Sequence, residues 1–103
     1  MMELTTRQVF ARLDDAQIVD VRETEELAEG MIPGARHIPL GKIPESHGAL
    51  DSTRPVILVC RSGRRSASAA EHLAAAGFDA HTMTGGMLEW AVQGLPTVVP
   101  QAP

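Results

Sequence analysis

The stretch Val56-Ile57-Leu58-Val59-Cys60-Arg61-Ser62-Gly63-Arg64-Arg65-Ser66 decides how the chain is read. Four aliphatic residues run without interruption into the only cysteine. A short apolar run bounded by turn residues suits a strand buried on both faces. Ser66 then opens an Ala-rich run to Ala76 that reads as a helix, with Ser66 as a natural cap and Gly77 as a natural stop. A thiol therefore stands where strand, tight loop and helix N-terminus meet. The first amides of a helix lack partners within it, and its dipole points its positive end outward, so the place attracts anions. A thiol there is drawn toward the thiolate, from a pKa of about 8.5 into the range ~3.5–7.5. Arg61, Arg64 and Arg65 add positive charge beside it. The chemistry suggested is a nucleophilic Cys60 acting on a small anion. The competing reading, an inert core thiol ending a strand, leaves the three flanking arginines without a reason.

The rest of the composition narrows the function classes. A chain of 103 residues has room for one core and not two. The net charge of −4 gives no general attraction to nucleic acid or to an anionic membrane. Against that background three of the nine basic residues crowd into the loop after Cys60. One cysteine excludes an internal disulfide and any Cys-x-x-Cys pair, and it fits a reducing cytoplasm. The start Met1-Met2-Glu3-Leu4 has no basic region leading into an apolar stretch, so no signal peptide is expected. No apolar run is long enough to span a bilayer. The four histidines are scattered, none at a helical ligand spacing or beside the cysteine, so neither metal nor cofactor is expected.

Upstream, Leu4-Thr5-Thr6-Arg7-Gln8-Val9 carries a helix-start signature: Thr5 caps, Gln8 returns the bond, and Leu4 staples onto Val9. The helix is expected to present Val9, Phe10 and Leu13 on one face and to end near Asp14-Asp15. Gln17–Val21 reads as a short strand interrupted by Asp20. A carboxylate near the end of a buried strand costs several kcal/mol unless it is paired or reaches solvent. Two readings stand: a salt-bridged carboxylate at the start of a loop, or an Asp20–Arg22 brace for the cysteine loop. Glu23–Gly30 reads as a short helix with a solvated acidic face, Met31–Ala35 as a turn, and Arg36–Leu40 as a strand ended by Pro39. The segment Gly41–Pro55 is hard to read, with Ile43, Leu50 and Ala49 as candidate anchors and His47 at the surface.

Downstream, Ala69, Ala70, Leu73 and Ala76 make a narrow helix face, with His72 exposed. Ala80–Met83 reads as a strand, Thr84-Gly85-Gly86 as a turn and Met87–Val92 as a last helix. Strands alternating with helices argue for a mostly parallel sheet covered on both faces. Ligand sites in such folds lie at the carboxyl ends of strands, where both Asp20 and Cys60 fall.

Asp20-Val21-Arg22-Glu23, then Gly30 to Ala35 with Ile38-Pro39, then Cys60 to Ser66, then Gly85-Gly86 followed by Trp90, resemble a single-domain rhodanese in order and spacing. The resemblance covers nearly the whole chain. It implies one α/β domain over residues 1–103, of which about 96–103, Pro96-Thr97-Val98-Val99-Pro100-Gln101-Ala102-Pro103, reads from its own residues as an extended tail. It implies a three-layer fold with a central, mostly parallel five-stranded sheet and helices on both faces. It also implies sulfurtransferase chemistry: Cys60 carries a persulfide, and Arg61, Ser62, Gly63, Arg64, Arg65 and Ser66 cradle a small anionic sulfur donor such as thiosulfate. The acceptor is then cyanide, a thiol or a protein thiol, including a thioredoxin-like protein. Met31 departs from the family, which often has His there, and a difference in packing rather than chemistry is expected. Displacement at sulfur with sulfite leaving needs no general acid, so a lone cysteine suffices. Two rivals remain. The phosphatases and arsenate reductases related to rhodaneses have one more residue between Cys and Arg than the four that separate Cys60 from Arg65. A non-catalytic binding module of this family commonly lacks the cysteine that this chain keeps.

Overall fold

Val56–Val59 does form a strand, and it lies at the centre of the sheet. The computed structural model describes residues 1–100; Gln101–Pro103, the end of the expected tail, lie outside the described residues. The elements run β1 (Glu3–Leu4), α1 (Thr6–Phe10), β2 (Gln17–Asp20), β3 (Arg36–His37), α2 (Ile43–Ser46), β4 (Val56–Val59), α3 (Arg64–Ala75), β5 (Ala80–Met83) and α4 (Gly86–Val92). The five strands make one sheet in the order β1-β5-β4-β2-β3, with every pairing parallel.

Side-chain alternation along β4 builds the two halves of the core. Val56, Leu58 and Cys60 pack with Val19, Ile43, Leu50, Ala69, Ala70, Leu73 and Ala80 on the α2–α3 side. Ile57 and Val59 pack with Leu4, Val9, Ile18, Met83, Met87 and Trp90 on the α1–α4 side. Small alanines on α3 let that helix lie close to the sheet. Ala76, expected on the same face, is exposed because the helix has ended at Ala75, and His72 is exposed as expected. Ile43 and Leu50 anchor the segment between β3 and β4, while Ala49 is exposed.

The local signals mostly hold, with four corrections. The capping box is present: Thr5 Oγ1 accepts from the Gln8 amide at 3.1 Å, and the Thr5 amide donates to Gln8 Oε1 at 2.8 Å. Yet α1 stops at Phe10 and passes through turns to Asp15, and Phe10 is largely exposed, with one edge against the buried Trp90. The acidic segment is a 3₁₀ helix over Thr24–Glu29. The expected strand from Arg36 to Leu40 is confined to Arg36–His37, because the chain turns at Pro39 into a 3₁₀ helix over Leu40–Lys42. Finally, Ser66 does not cap α3. The cap is Gly63 at φ +107°, a left-handed conformation that a side chain disfavours, and Ser66 is the third helical residue.

Of the C-terminal segment, Val98 exchanges two backbone hydrogen bonds with Met31, at 2.8 and 2.9 Å. Trp90 Nε1–H donates to the Pro96 carbonyl at 2.9 Å. No helix among the described residues is long and apolar enough to cross a membrane.

Candidate active site

Cys60 follows β4 directly, so the strand delivers its sulfur to the carboxyl edge of the sheet at the start of α3. The sulfur is buried, with Cys60 0% exposed. The Gly63 amide donates to Sγ at 3.0 Å and the Ser66 amide at 3.4 Å; the Ser66 hydroxyl lies 3.5 Å away. The sulfur thus takes the place of a side-chain cap for α3, satisfying an amide that the helix leaves without a partner. Burial pushes the thiol pKa up. The Ser66 hydroxyl and the amides of Ser66, Gly63 and Ser62 together outweigh it, and the net direction is down from the ordinary value.

The loop is held from the far side by α4. The Met87 amide donates to the Cys60 carbonyl at 2.9 Å and the Leu88 amide to the Arg61 carbonyl at 3.1 Å. Carbonyls drawn outward in this way leave the loop amides turned in toward the sulfur. The approach is close: a Cβ on Gly86, whose φ is +60°, would lie 2.3 Å from the Arg61 oxygen and 2.6 Å from the Cys60 oxygen. Gly86→Ala is therefore expected to cost about 1–3 kcal/mol in strain and to displace the loop. Urea unfolding and the rate of Cys60 alkylation measure this; a slowing of at least ~10-fold in alkylation is expected where the loop amides are lost.

The three arginines are not equivalent. Arg61 and Arg64 are exposed, with Ser62 between them also exposed. Arg65 is half-buried, and its two terminal nitrogens reach both carboxylate oxygens of Glu26 at 2.7 and 2.8 Å. The Arg65 hydrogen bond holds Glu26 at a pKa of about 2, and Arg65 is raised in turn. Glu26 is thus not part of a purely solvated acidic face. Its pairing partner lies 39 residues along the chain, a separation that conceals it from any local reading.

Asp20 and Cys60 reach the same edge of the sheet on neighbouring strands, with Asp20 in register with Val59. They face opposite sides, since Val19 and Val21 line the α2–α3 core while Ile18 lines the other. Asp20 is 0% exposed and Arg22 2%, joined at 2.7 Å, so the carboxylate is salt-bridged. Arg22 also donates to the Gly30 carbonyl at 2.9 Å and the Glu26 carbonyl at 3.2 Å. The pair connects to Arg65 through the segment that carries Glu26, and Arg22 lines a cavity together with Arg61.

A family model, "Rhodanese-like domain", matches residues 5–93. A sulfurtransferase of Allochromatium vinosum is 38% identical over 95 residues, covering 91% of this chain and 89% of that protein. The thiosulfate sulfurtransferase GlpE of Pseudomonas aeruginosa (strain PAO1) is 36% identical over 80 residues, covering 77% and 73%. Among solved structures, a rhodanese-related protein from Thermoplasma volcanium superposes with a TM-score of 0.93 at 27% identity, covering 97% of this chain and all of that one. With its all-parallel five-stranded sheet and a cysteine at the start of α3, the chain belongs to the rhodanese-like family and is related to bacterial sulfurtransferases.

Proposed function

We propose that the protein moves sulfane sulfur from thiosulfate, or a donor like it, to a thiophilic acceptor through a persulfide on Cys60. One observation carries this reading: a lone thiol, lowered in pKa, caps a helix with its sulfur and receives two backbone amides there. The Cys60 thiolate attacks the outer sulfur of thiosulfate. The sulfur–sulfur bond of the donor breaks, sulfite leaves with its electron pair, and Cys60-S-S⁻ remains. Cyanide, a small thiol, or the thiol of a protein such as a thioredoxin-like partner then takes the outer sulfur and returns the thiolate. The charge is conserved in both steps, and no general acid is required. The amides of Ser62, Gly63 and Ser66 stabilise negative charge on sulfur throughout. Because the sulfur is buried, donor access involves movement of the exposed part of the loop at Arg61 and Ser62. A single reactive thiol of this kind suits the reducing cytoplasm.

In this reading Arg61 and Arg64 draw in the donor and contact its sulfonate oxygens, while Arg65 and Glu26 neutralise one another and hold the loop to the Thr24–Glu29 turn. Asp20 and Arg22 support the loop at one remove, by fixing that turn. Arg61→Ala with Arg64→Ala is expected to raise the KM for thiosulfate about tenfold with little change in kcat, and the effect should shrink at high ionic strength. Steady-state kinetics at two salt concentrations check this; an unchanged KM would show that neither arginine meets the donor.

The test of the function is intact-protein mass spectrometry after mixing with thiosulfate. A gain of one sulfur atom, reversed by cyanide, is expected. No adduct with any sulfane donor would sink the reading.

A further inference from the structure

Behind the sulfur lies a second hydroxyl. Thr82, on β5, is buried and sits on the same face of the sheet as Ala80 and α3. Its Oγ1 is 2.7 Å from Ser66 Oγ. Ser66 Oγ has two further neighbours: the Gly63 carbonyl at 3.1 Å and Cys60 Sγ at 3.5 Å.

Counting protons sets the direction of this chain. Each hydroxyl has one proton to give and can accept two. Among the described residues, Thr82 Oγ1 has only Ser66 Oγ as a partner, and no buried polar side-chain atom is left unsatisfied. The Gly63 carbonyl can only accept, so where Ser66 gives its proton to that carbonyl or to the sulfur, Thr82 is the donor of the pair. That leaves the Ser66 proton with two acceptors, the Gly63 carbonyl and the Cys60 sulfur. A thiol can give its own proton to Ser66 Oγ, and the serine then turns to Gly63. A thiolate can only accept, and the serine turns to it. With Thr82 already filling one lone pair, Ser66 is a poorer acceptor for the thiol proton and a more polarised donor to the thiolate. Both effects favour the charged sulfur.

We propose that Thr82 is a positioning residue for the Cys60 thiolate, acting through the Ser66 hydroxyl. The role rests on Cys60 being the reacting group. It is separate from the charged groups around the sulfur, which are Arg61 and Arg64 of the loop and α3, the Arg65–Glu26 pair, and the Asp20–Arg22 pair at the carboxyl end of β2. His81, next to Thr82, points to the other face, where it meets Asp79 and the Met2 amide.

The experiment compares Thr82→Val, close in shape and lacking the hydroxyl, with Thr82→Ser, which keeps it. The pH midpoint of Cys60 ionisation is read from iodoacetamide alkylation and from thiolate ultraviolet absorbance, neither of which needs a sulfur donor. The midpoint should rise by about one pH unit in Thr82→Val and stay with the parent in Thr82→Ser. At a pH below both midpoints persulfide formation from thiosulfate should slow about tenfold in Thr82→Val, and well above them the two proteins should match. Equal midpoints in parent and Thr82→Val overturn the proposal, whatever the sulfur chemistry. A shifted midpoint in a protein that takes up no sulfur leaves Thr82 in its role and removes the proposed function instead. If Thr82→Val does not fold, Thr82→Ala takes its place: a midpoint above that of Thr82→Ser supports the role, and an equal one overturns it.

Discussion

Cys60→Ser will take up no sulfur from thiosulfate, and turnover with cyanide will fall by at least ~10⁴-fold. The substitution keeps the size of the side chain and leaves an acceptor for the Gly63 and Ser66 amides, so α3 retains its cap. What it loses is ionisation. The amides and the Ser66 hydroxyl lower a thiol that starts near 8.5; the same groups acting on an alcohol leave it protonated at neutral pH. Oxygen is also the poorer nucleophile toward sulfur. Because the chain holds one cysteine, no second residue can receive the sulfur, and intact mass gives an unambiguous answer. Parent protein gaining one sulfur atom beside a Cys60→Ser protein gaining none is the expected pair. Sulfur uptake by Cys60→Ser would place the chemistry elsewhere and end the persulfide reading.

The second large effect is on stability. Arg22→Met should destabilise the fold by about 3–5 kcal/mol, because it leaves the Asp20 carboxylate buried without its counter-charge. Arg22 donates to both Asp20 oxygens, and to the carbonyls of Glu26 and Gly30, so the substitution also leaves those carbonyls short of a donor. A domain of this size has about 5–15 kcal/mol in total, so the loss is a large share of it. Replacing both members, Asp20→Leu with Arg22→Met, should recover part of the loss, since no charge is then stranded. Urea unfolding of the two single variants and the double one completes the cycle. A loss below about 1 kcal/mol for Arg22→Met would mean that water reaches Asp20 and relieves it.

What the sequence discloses depends on the distance over which each contact acts. β4 stands where its apolar run places it, β5 falls on the expected Ala80–Met83, and the Thr5–Gln8 box is visible because all its atoms lie within one turn. β1 is two residues long, too short to show a period, and exists only because β5 offers it an edge. α3 begins two residues before Ser66 because its N-terminal amide is satisfied by the sulfur of Cys60, just past the preceding strand, rather than by a side chain of its own first turn. The same reason hides the Glu26–Arg65 and Ser66–Thr82 contacts: each joins residues from different elements. The family pattern bridges part of that gap. Its Gly85-Gly86 pair marks the place where α4 closes on the cysteine loop, although the residues themselves do not say what they approach.

That closure sets the order of events during synthesis on the ribosome. Cys60 emerges well before Met87 and Leu88, whose amides hold the Cys60 and Arg61 carbonyls, and before Thr82, the partner of Ser66. β1, the first strand made, waits for β5, nearly eighty positions later. Such non-local parallel pairing forms slowly and late. A partly made chain is therefore expected to carry an ordinary thiol, with the loop amides fixed around the sulfur once α4 holds the Cys60 and Arg61 carbonyls.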